Sequence, residues 1–294
     1  TRLAGSNKME ILLFTLGTQE IFGINVFKVR EVTKTPFITK TPNMPAGVEG
    51  VISLRGSVIP VIDLARFIGQ PGDSLGGTMM VTEYSRRTQG FLVESVDRIV
   101  RVDWEKVRSP DSVITGNDNL ITAITELPDG TLVSVLDVEQ VLVNAFGEPR
   151  VPDLQPAEAG EEAVVFFADD SLVARKEIGN VLDRLGVKYH QANNGAEAWT
   201  RLQAMATRAT QDGEPLNRQL NVILLDAEMP EMDGYVLTRH IKSDARFSGV
   251  PVVMHSSLSS QANHAMGRHV GVDAYVSKFD ATVLADTLRP LLSR

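Results

Sequence analysis

From residue 164 onward, short apolar runs alternate with amphipathic helical stripes, and that alternation leaves few folds open to the second half of the chain. Val164–Ala168 is the first run, followed by a stripe at Ile178, Val181, Leu182 and Leu185 that Gly186 closes. A strand around Val187–Ala192 precedes a helix carrying Trp199, Leu202 and Met205, and Val222–Leu225 is the most apolar strand. Val252–His255 precedes a helix with Ala262 and Met266, and Ala274–Ser277 precedes one with Val283, Leu284, Leu288 and Leu291. Five such alternations predict a doubly wound, flavodoxin-like α/β domain with a parallel five-stranded sheet. Its ligand site belongs at the carboxyl ends of the strands. The polar stretch from Thr207 to Gln219 reads as a surface loop inserted before the central strand.

The first half has a different character. Candidate strands are Glu10–Leu16, Ile21–Asn25, Val48–Leu54, Val58–Asp63, Met79–Tyr84, Thr88–Val93, Leu120–Glu126 and Thr131–Asp137. Gly17, Arg55-Gly56 and Pro128-Asp129-Gly130 separate them as turns. Many short strands at this spacing suggest barrels or a sandwich. A helical stripe at Val138, Val141, Leu142 and Phe146 ends the region, and no internal repeat is evident. Residues 148–162 are rich in Pro, Glu and Ala and poor in large apolar side chains, the composition of an interdomain linker. The expected organisation is therefore multidomain: an all-β domain at 9–147, a linker at 148–162 and an α/β domain at 163–294.

Composition narrows the chemistry. With 43% hydrophobic and 22% charged residues, folded domains are expected. The net charge of -8 argues against broad contact with nucleic acid or anionic membrane. No apolar run is long enough to span a bilayer, and the first ten residues do not resemble a signal peptide, so a cytoplasmic location is expected. The absence of cysteine excludes disulfides, thiol nucleophiles and thiolate-bound metals. All five histidines lie in the second half, so the first domain lacks the commonest acid–base and nucleophilic constellations. His264 and His269 are five apart, off the helical register for a shared metal, and the histidines read as structural or surface groups.

In the predicted sheet, Asp169 and Asp170 follow the first strand, Asp226 ends the third, Ser256 the fourth and Lys278 the fifth. Taken singly, the two aspartates could cap a helix, Lys278 could be a solvated lysine and Tyr275 a core aromatic. Together they converge on one edge. Carboxylates held close repel one another, and a hard cation such as Mg²⁺ relieves that with oxygen ligands. Asp226 is then a candidate nucleophile toward a phosphoryl group, Lys278 would stabilise the transferring charge, and the Ser256 hydroxyl could bond a phosphoryl oxygen. The Asp226 segment lacks the nucleophile–x–acid–x–hydroxyl pattern of haloacid-dehalogenase phosphatases.

The motifs FFADDS (166–171), LLDAEMPEMDG (224–234), VVMHSS (252–257) and AYVSK (274–278) resemble those of response-regulator receiver domains. The resemblance implies that Asp226 is the phospho-acceptor. It implies that the Asp170 and Asp226 carboxylates and the Glu228 backbone carbonyl hold Mg²⁺, with Asp169 assisting. Ser256 and Tyr275 become the switch residues and Lys278 the phosphoryl-pairing lysine. Two departures stand out: Phe279 where the family usually has proline, and an acid, Glu228, two residues beyond the acceptor.

The first domain resembles the CheW-type coupling domain in GVEGVISLRGSVIPVIDLARFIG (47–69), FTLGTQEIFGINVFKVREV (14–32) and TELPDGTLVSVLDVEQVL (125–142). That implies two small β-barrels and binding to chemoreceptor tips and to the chemotaxis histidine kinase. Arg55, at a hairpin tip, matches the arginine that the family places toward the receptor; from its position alone it reads as a solvated tip residue. A CheW-type domain followed by a receiver is the layout of CheV-type coupling proteins. The expected function is a signalling adaptor, not a dedicated enzyme, held at receptor arrays through its partners, without nucleic-acid binding or membrane insertion. A phosphate sink, or a constitutive scaffold with a silent receiver, are the alternatives.

Overall fold

The computed structural model describes residues 8–70, 76–84, 87–103, 106–108, 110, 120–158, 160–229, 231–256, 268–278 and 280–293. The helix expected around Ala262 and Met266, together with His264 and Phe279, lies outside them. The chain divides into two compact units, one comprising Met9–Val102 and Lys106–Glu148 and the other holding Pro149–Arg294.

The first unit is two small five-stranded barrels. One sheet runs in the order β8 (Ser95–Asp103), β1 (Lys8–Thr15), β2 (Ile21–Asn25), β10 (Leu132–Leu136), β9 (Ile121–Glu126). The other runs β3 (Val29–Lys34), β6 (Thr78–Tyr84), β7 (Arg87–Val93), β5 (Ser57–Asp63), β4 (Val48–Leu54). In each, two antiparallel hairpins join through a parallel central pair, β10 on β2 and β5 on β7. Each also closes in the same way: an antiparallel bridge links the segment after one edge strand to the other edge, Thr39 to Val51 and Arg108 to Ile124. Closure hides backbone edges that would otherwise pair with other chains. A core cluster containing Phe14, Ile24, Ile62, Met80, Phe91, Leu136 and Val141 draws on both sheets.

The edge strands β3 and β8 were absent from the sequence expectation. VREVTK and SVDRIVRVD carry charges, and most of their side chains are exposed or half-buried, so apolar content does not reveal them. Two short helices follow equivalent strands: α1 (Leu64–Phe67) after β5 and α2 (Val138–Phe146) after β10.

In the second unit, β11 (Val164–Ala168), β12 (Lys188–Ala192), β13 (Val222–Asp226), β14 (Val252–Ser256) and β15 (Ala274–Ser277) form a parallel sheet of order β12-β11-β13-β14-β15. This is the flavodoxin-like order, with its switch point between β11 and β13. Strand periodicity sends Phe166, Ala168, Ile223, Leu225, Val252 and Met254 to one face. There they pack with α4 (Gly195–Asp212) and α5 (Gly234–Ser243). Val165, Phe167, Val222, Leu224, Val253 and Val276 point to the other face, with α3 (Leu172–Leu185) and α6 (Ala281–Leu292).

The stretch from Thr207 is not all loop. α4 continues to Asp212 because Ala206 and Ala209 bury on one face, and Gly213 ends it in the left-handed conformation. The connecting segment also differs from a free linker, because residues from Pro149 onward belong to the second unit. Val151, Leu154 and Ala157 pack against the α3–α6 core, and the Ala157 N–H bonds the Leu185 carbonyl at 3.0 Å. Its sparse apolar residues suffice because they are spaced three apart onto one cluster.

Candidate functional site

The carboxyl ends of β11, β13 and β14 bring together residues spread over the whole second unit. Asp169 and Asp170 follow β11, Asp226 ends β13, Ser256 ends β14 and Lys278 follows β15. Parallel register aligns them, with Asp226 beside His255 and Ser256 beside Ser277.

Asp169 is not the cap of α3. Ser171 holds that position, its side chain accepting from the Ala174 N–H at 3.3 Å, while Asp169 Oδ1 accepts from the Ser171 N–H at 2.9 Å. Asp169 therefore turns its other oxygen into the site. Lys278 Nζ lies 2.7 Å from Asp169 Oδ2 and 3.2 Å from Asp226 Oδ2, one ammonium between two carboxylates. The lysine side chain is 3% exposed, so water screens neither contact.

The charges are unevenly compensated. Burial alone would raise the Asp169 carboxyl, but Lys278 and the bond from Ser171 outweigh it and hold it below its ordinary value. Asp226 goes the other way: burial, then the neighbouring Asp169 charge, push its carboxyl well above the usual range despite Lys278. His255, fully buried 3.9 Å from Asp169, contributes no cation, because burial and Lys278 push it down to about 3.

Asp169, Asp170 and Asp226 each offer a carboxylate oxygen, and these lie within 4.8 Å of one another. Excess negative charge, hard oxygen donors and a half-buried Asp170 at the mouth suit a divalent cation such as Mg²⁺. The backbone turn after β13 is tight. The Glu228 N–H donates to Asp226 Oδ1 at 3.2 Å, and Asp233 caps α5 by accepting from the Val236 N–H at 2.8 Å. Gly234 is required there, since a Cβ would sit 2.1 Å from the Asp226 carbonyl oxygen.

Ser256 is buried, and its hydroxyl donates to Glu228 Oε1 at 2.7 Å. Tyr275 is half-buried, and its phenol lies near Ser256 and Tyr235. Burial, then the Glu228 charge, push the Tyr275 phenol above its ordinary value, so it stays neutral. The Glu228 side chain is the participant that sequence reasoning missed. As a departure from the family pattern the acid points to an altered phosphoryl lifetime, but nothing in the sequence pairs its side chain with Ser256.

Arg55 occupies the first position of the two-residue turn between β4 and β5, with φ of 49° there and 82° at Gly56. Its side chain is 78% exposed and pairs with Glu31 on β3. It makes a tip charge tethered across the barrel closure.

Comparison with known proteins agrees with both halves. The CheW-like domain family matches residues 10–146, and the response regulator receiver domain family matches 165–289. Chemotaxis protein CheV3 of Helicobacter pylori is 31% identical over 280 residues, covering 93% of this chain and 89% of the relative. The chain belongs to the CheV-type chemotaxis coupling proteins. CheV1 of the same organism is 29% identical, covering 95% of this chain and 91% of CheV1. Among solved structures, the scaffolding protein TtCheW of Thermoanaerobacter tengcongensis is 30% identical, covering 47% of this chain and 90% of that one at a TM-score of 0.43. A CheV-type chain is a chemotaxis coupling adaptor with a receiver domain, not a dedicated enzyme. Among the described residues no helix is long and apolar enough to cross a membrane.

Proposed function

We propose that this chain couples chemoreceptor tips to the chemotaxis histidine kinase through its first domain, and that phosphorylation of Asp226 regulates the coupling. The observation that carries the reading is the Lys278 ammonium between Asp169 and Asp226, with Asp170 beside them at the strand ends. The Asp170 and Asp226 carboxylates and the Glu228 carbonyl would hold Mg²⁺, with Asp169 assisting. Bound there, the cation would neutralise carboxylate charge and supply positive charge for the transferring phosphoryl group.

An Asp226 carboxylate oxygen attacks the donor phosphorus. A new O–P bond forms while the P–N bond of a phosphohistidine, or the P–O bond of acetyl phosphate, breaks, and the leaving group departs with its electron pair. Lys278 stays beside the acceptor and offsets the charge gathered on the phosphoryl oxygens. Ser256 supplies a hydroxyl donor to one of them, and Tyr275, in contact with Ser256, follows its movement. Docking rests on the first domain, where Arg55 presents a guanidinium at a fixed hairpin tip. The partners hold the chain at receptor arrays.

Incubation with purified kinase, ATP and Mg²⁺, followed by mapping of the acyl phosphate, tests the reading. An adduct on wild type and none on Asp226→Asn supports it, together with altered kinase activity in receptor complexes. Equal adducts on both proteins reject the acceptor assignment. An adduct with unchanged coupling favours the phosphate sink.

A further inference from the structure

A carboxylate can only accept hydrogen bonds, and a serine hydroxyl has one proton to give. In the Ser256–Glu228 contact that proton goes to Glu228 Oε1, at 2.7 Å, between two side chains buried to 0% and 7% exposure. A phosphoryl group on Asp226 needs the same proton. The turn from Asp226 to Glu228 fixes the competition in place, since the Glu228 N–H holds Asp226 Oδ1 and turns the following side chain toward β14. Tyr275 lies near Ser256 on the neighbouring strand, so a change at that hydroxyl is felt at the aromatic.

We propose that the Glu228 carboxylate is a resting-state latch on Ser256, an internal anion that occupies the hydroxyl until a phosphoryl group displaces it. The inference rests on the reading of Asp226 as acceptor. It makes Glu228 a positioning residue: it acts through Ser256 and sets how readily the receiver leaves its resting arrangement. Receptor coupling would then change only when the incoming group outcompetes a carboxylate already in place.

Two roles of Glu228 must be separated, its hold on Ser256 and its plain negative charge near an anion. Binding of beryllofluoride in the presence of Mg²⁺, followed by fluorine NMR on the full chain, separates them through a double-mutant cycle. Glu228→Ala should bind the mimic about tenfold more tightly than wild type. Glu228→Gln, which retains a neutral acceptor for the Ser256 proton, should gain less. In a Ser256→Ala background the same Glu228→Ala change should gain less than about twofold. An equal gain in both backgrounds, or Glu228→Gln equal to Glu228→Ala, reduces Glu228 to a repelling charge and overturns the latch. Unchanged binding in both Glu228 variants, with wild-type thermal unfolding, overturns it as well. If no form binds the mimic and acetyl phosphate leaves no adduct, the Asp226 reading fails and the latch falls with it.

Discussion

Asp63 and Asp137 hold the same place in the two barrels: each follows the end of an apolar strand run and caps the helix after it. Asp63 Oδ1 accepts from the Arg66 N–H at 3.3 Å and Asp137 Oδ1 from the Gln140 N–H at 3.1 Å. The flanking sequences SVIPVIDLARFI (57–68) and TLVSVLDVEQVL (131–142) align around them without a gap. The exposed Val58 and Leu132 fall at matching positions beyond the two hairpin tips. The barrels thus share strand order, closure and cap, although their sequences diverge too far for the repeat to be seen at a glance.

The two caps differ in charge balance, and this gives a pH dependence. Asp137 is buried beside Glu139, which Lys28 bonds at 2.9 Å; burial, then the Glu139 charge, push the Asp137 carboxyl well above its ordinary value of 3.8. The folded chain keeps a proton that the unfolded chain loses near pH 4. Stability from this group is complete below that pH and falls as pH rises through the raised folded value, by up to about 1.4 kcal/mol per pH unit. Asp137→Asn preserves a capping oxygen and has no proton to lose. Its urea midpoint, followed by hydrogen exchange in β10, should fall less with rising pH than wild type. Parallel curves would show that Asp137 and Glu139 share no retained proton.

Arg55 gives a cleaner docking test as asparagine than as alanine. Both turn residues have positive φ, a conformation costing an ordinary side chain about 1 kcal/mol and tolerated by Asn. The exposed pair with Glu31 contributes at most about 1 kcal/mol. Arg55→Asn should therefore leave stability within about 1 kcal/mol of wild type. Receptor binding should weaken by about 1.5–3 kcal/mol if the guanidinium makes a charge-assisted contact. Calorimetric titration against a receptor cytoplasmic fragment decides, and unchanged affinity would return Arg55 to a solvated tip.

Gly234 links the fold to the site. A Cβ there would meet the Asp226 carbonyl oxygen at 2.1 Å and the Ala227 Cα at 3.0 Å, backbone atoms that cannot rotate aside. Gly234→Ala should destabilise the receiver by about 1–3 kcal/mol and slow adduct formation from acetyl phosphate. A variant with wild-type unfolding and adduct rate would show that the β13–α5 turn has slack.

Much of this was legible in sequence, for identifiable reasons. The parallel sheet announced itself because both of its faces are buried, which makes each central strand a continuous apolar run such as Val222–Leu225, ended by Asp226. Strand ends then placed Asp169, Asp170, Asp226, Ser256 and Lys278 without knowledge of any contact. What stayed hidden depends on side-chain direction or on edges. Nothing in an E-x-x spacing says that Glu228 reaches Ser256, 28 positions away. Charged strands β3 and β8 look like loops until their barrels close. The segment before β11 looked free because its apolar residues are few.

That segment supplies the last test. Arg289 on α6 donates through Nη2 to the Gln155 carbonyl at 2.6 Å and through Nη1 to that of Pro156 at 3.4 Å. Together with Leu154 against the α3–α6 core and the Ala157–Leu185 bond, this ties residues 151–157 to the receiver as a strap. Residues 151–157 are thus part of the receiver's own packing rather than a free tether. Arg289→Ala removes the carbonyl partners' donor but leaves the α6 core residues in place. It should lower the local opening free energy by about 1 kcal/mol, speeding hydrogen exchange at the Ala157 amide about fivefold while exchange in β13 stays unchanged. Equal acceleration at both sites would mean that Arg289 supports the whole receiver. No acceleration at Ala157 would mean that apolar packing alone holds the strap down.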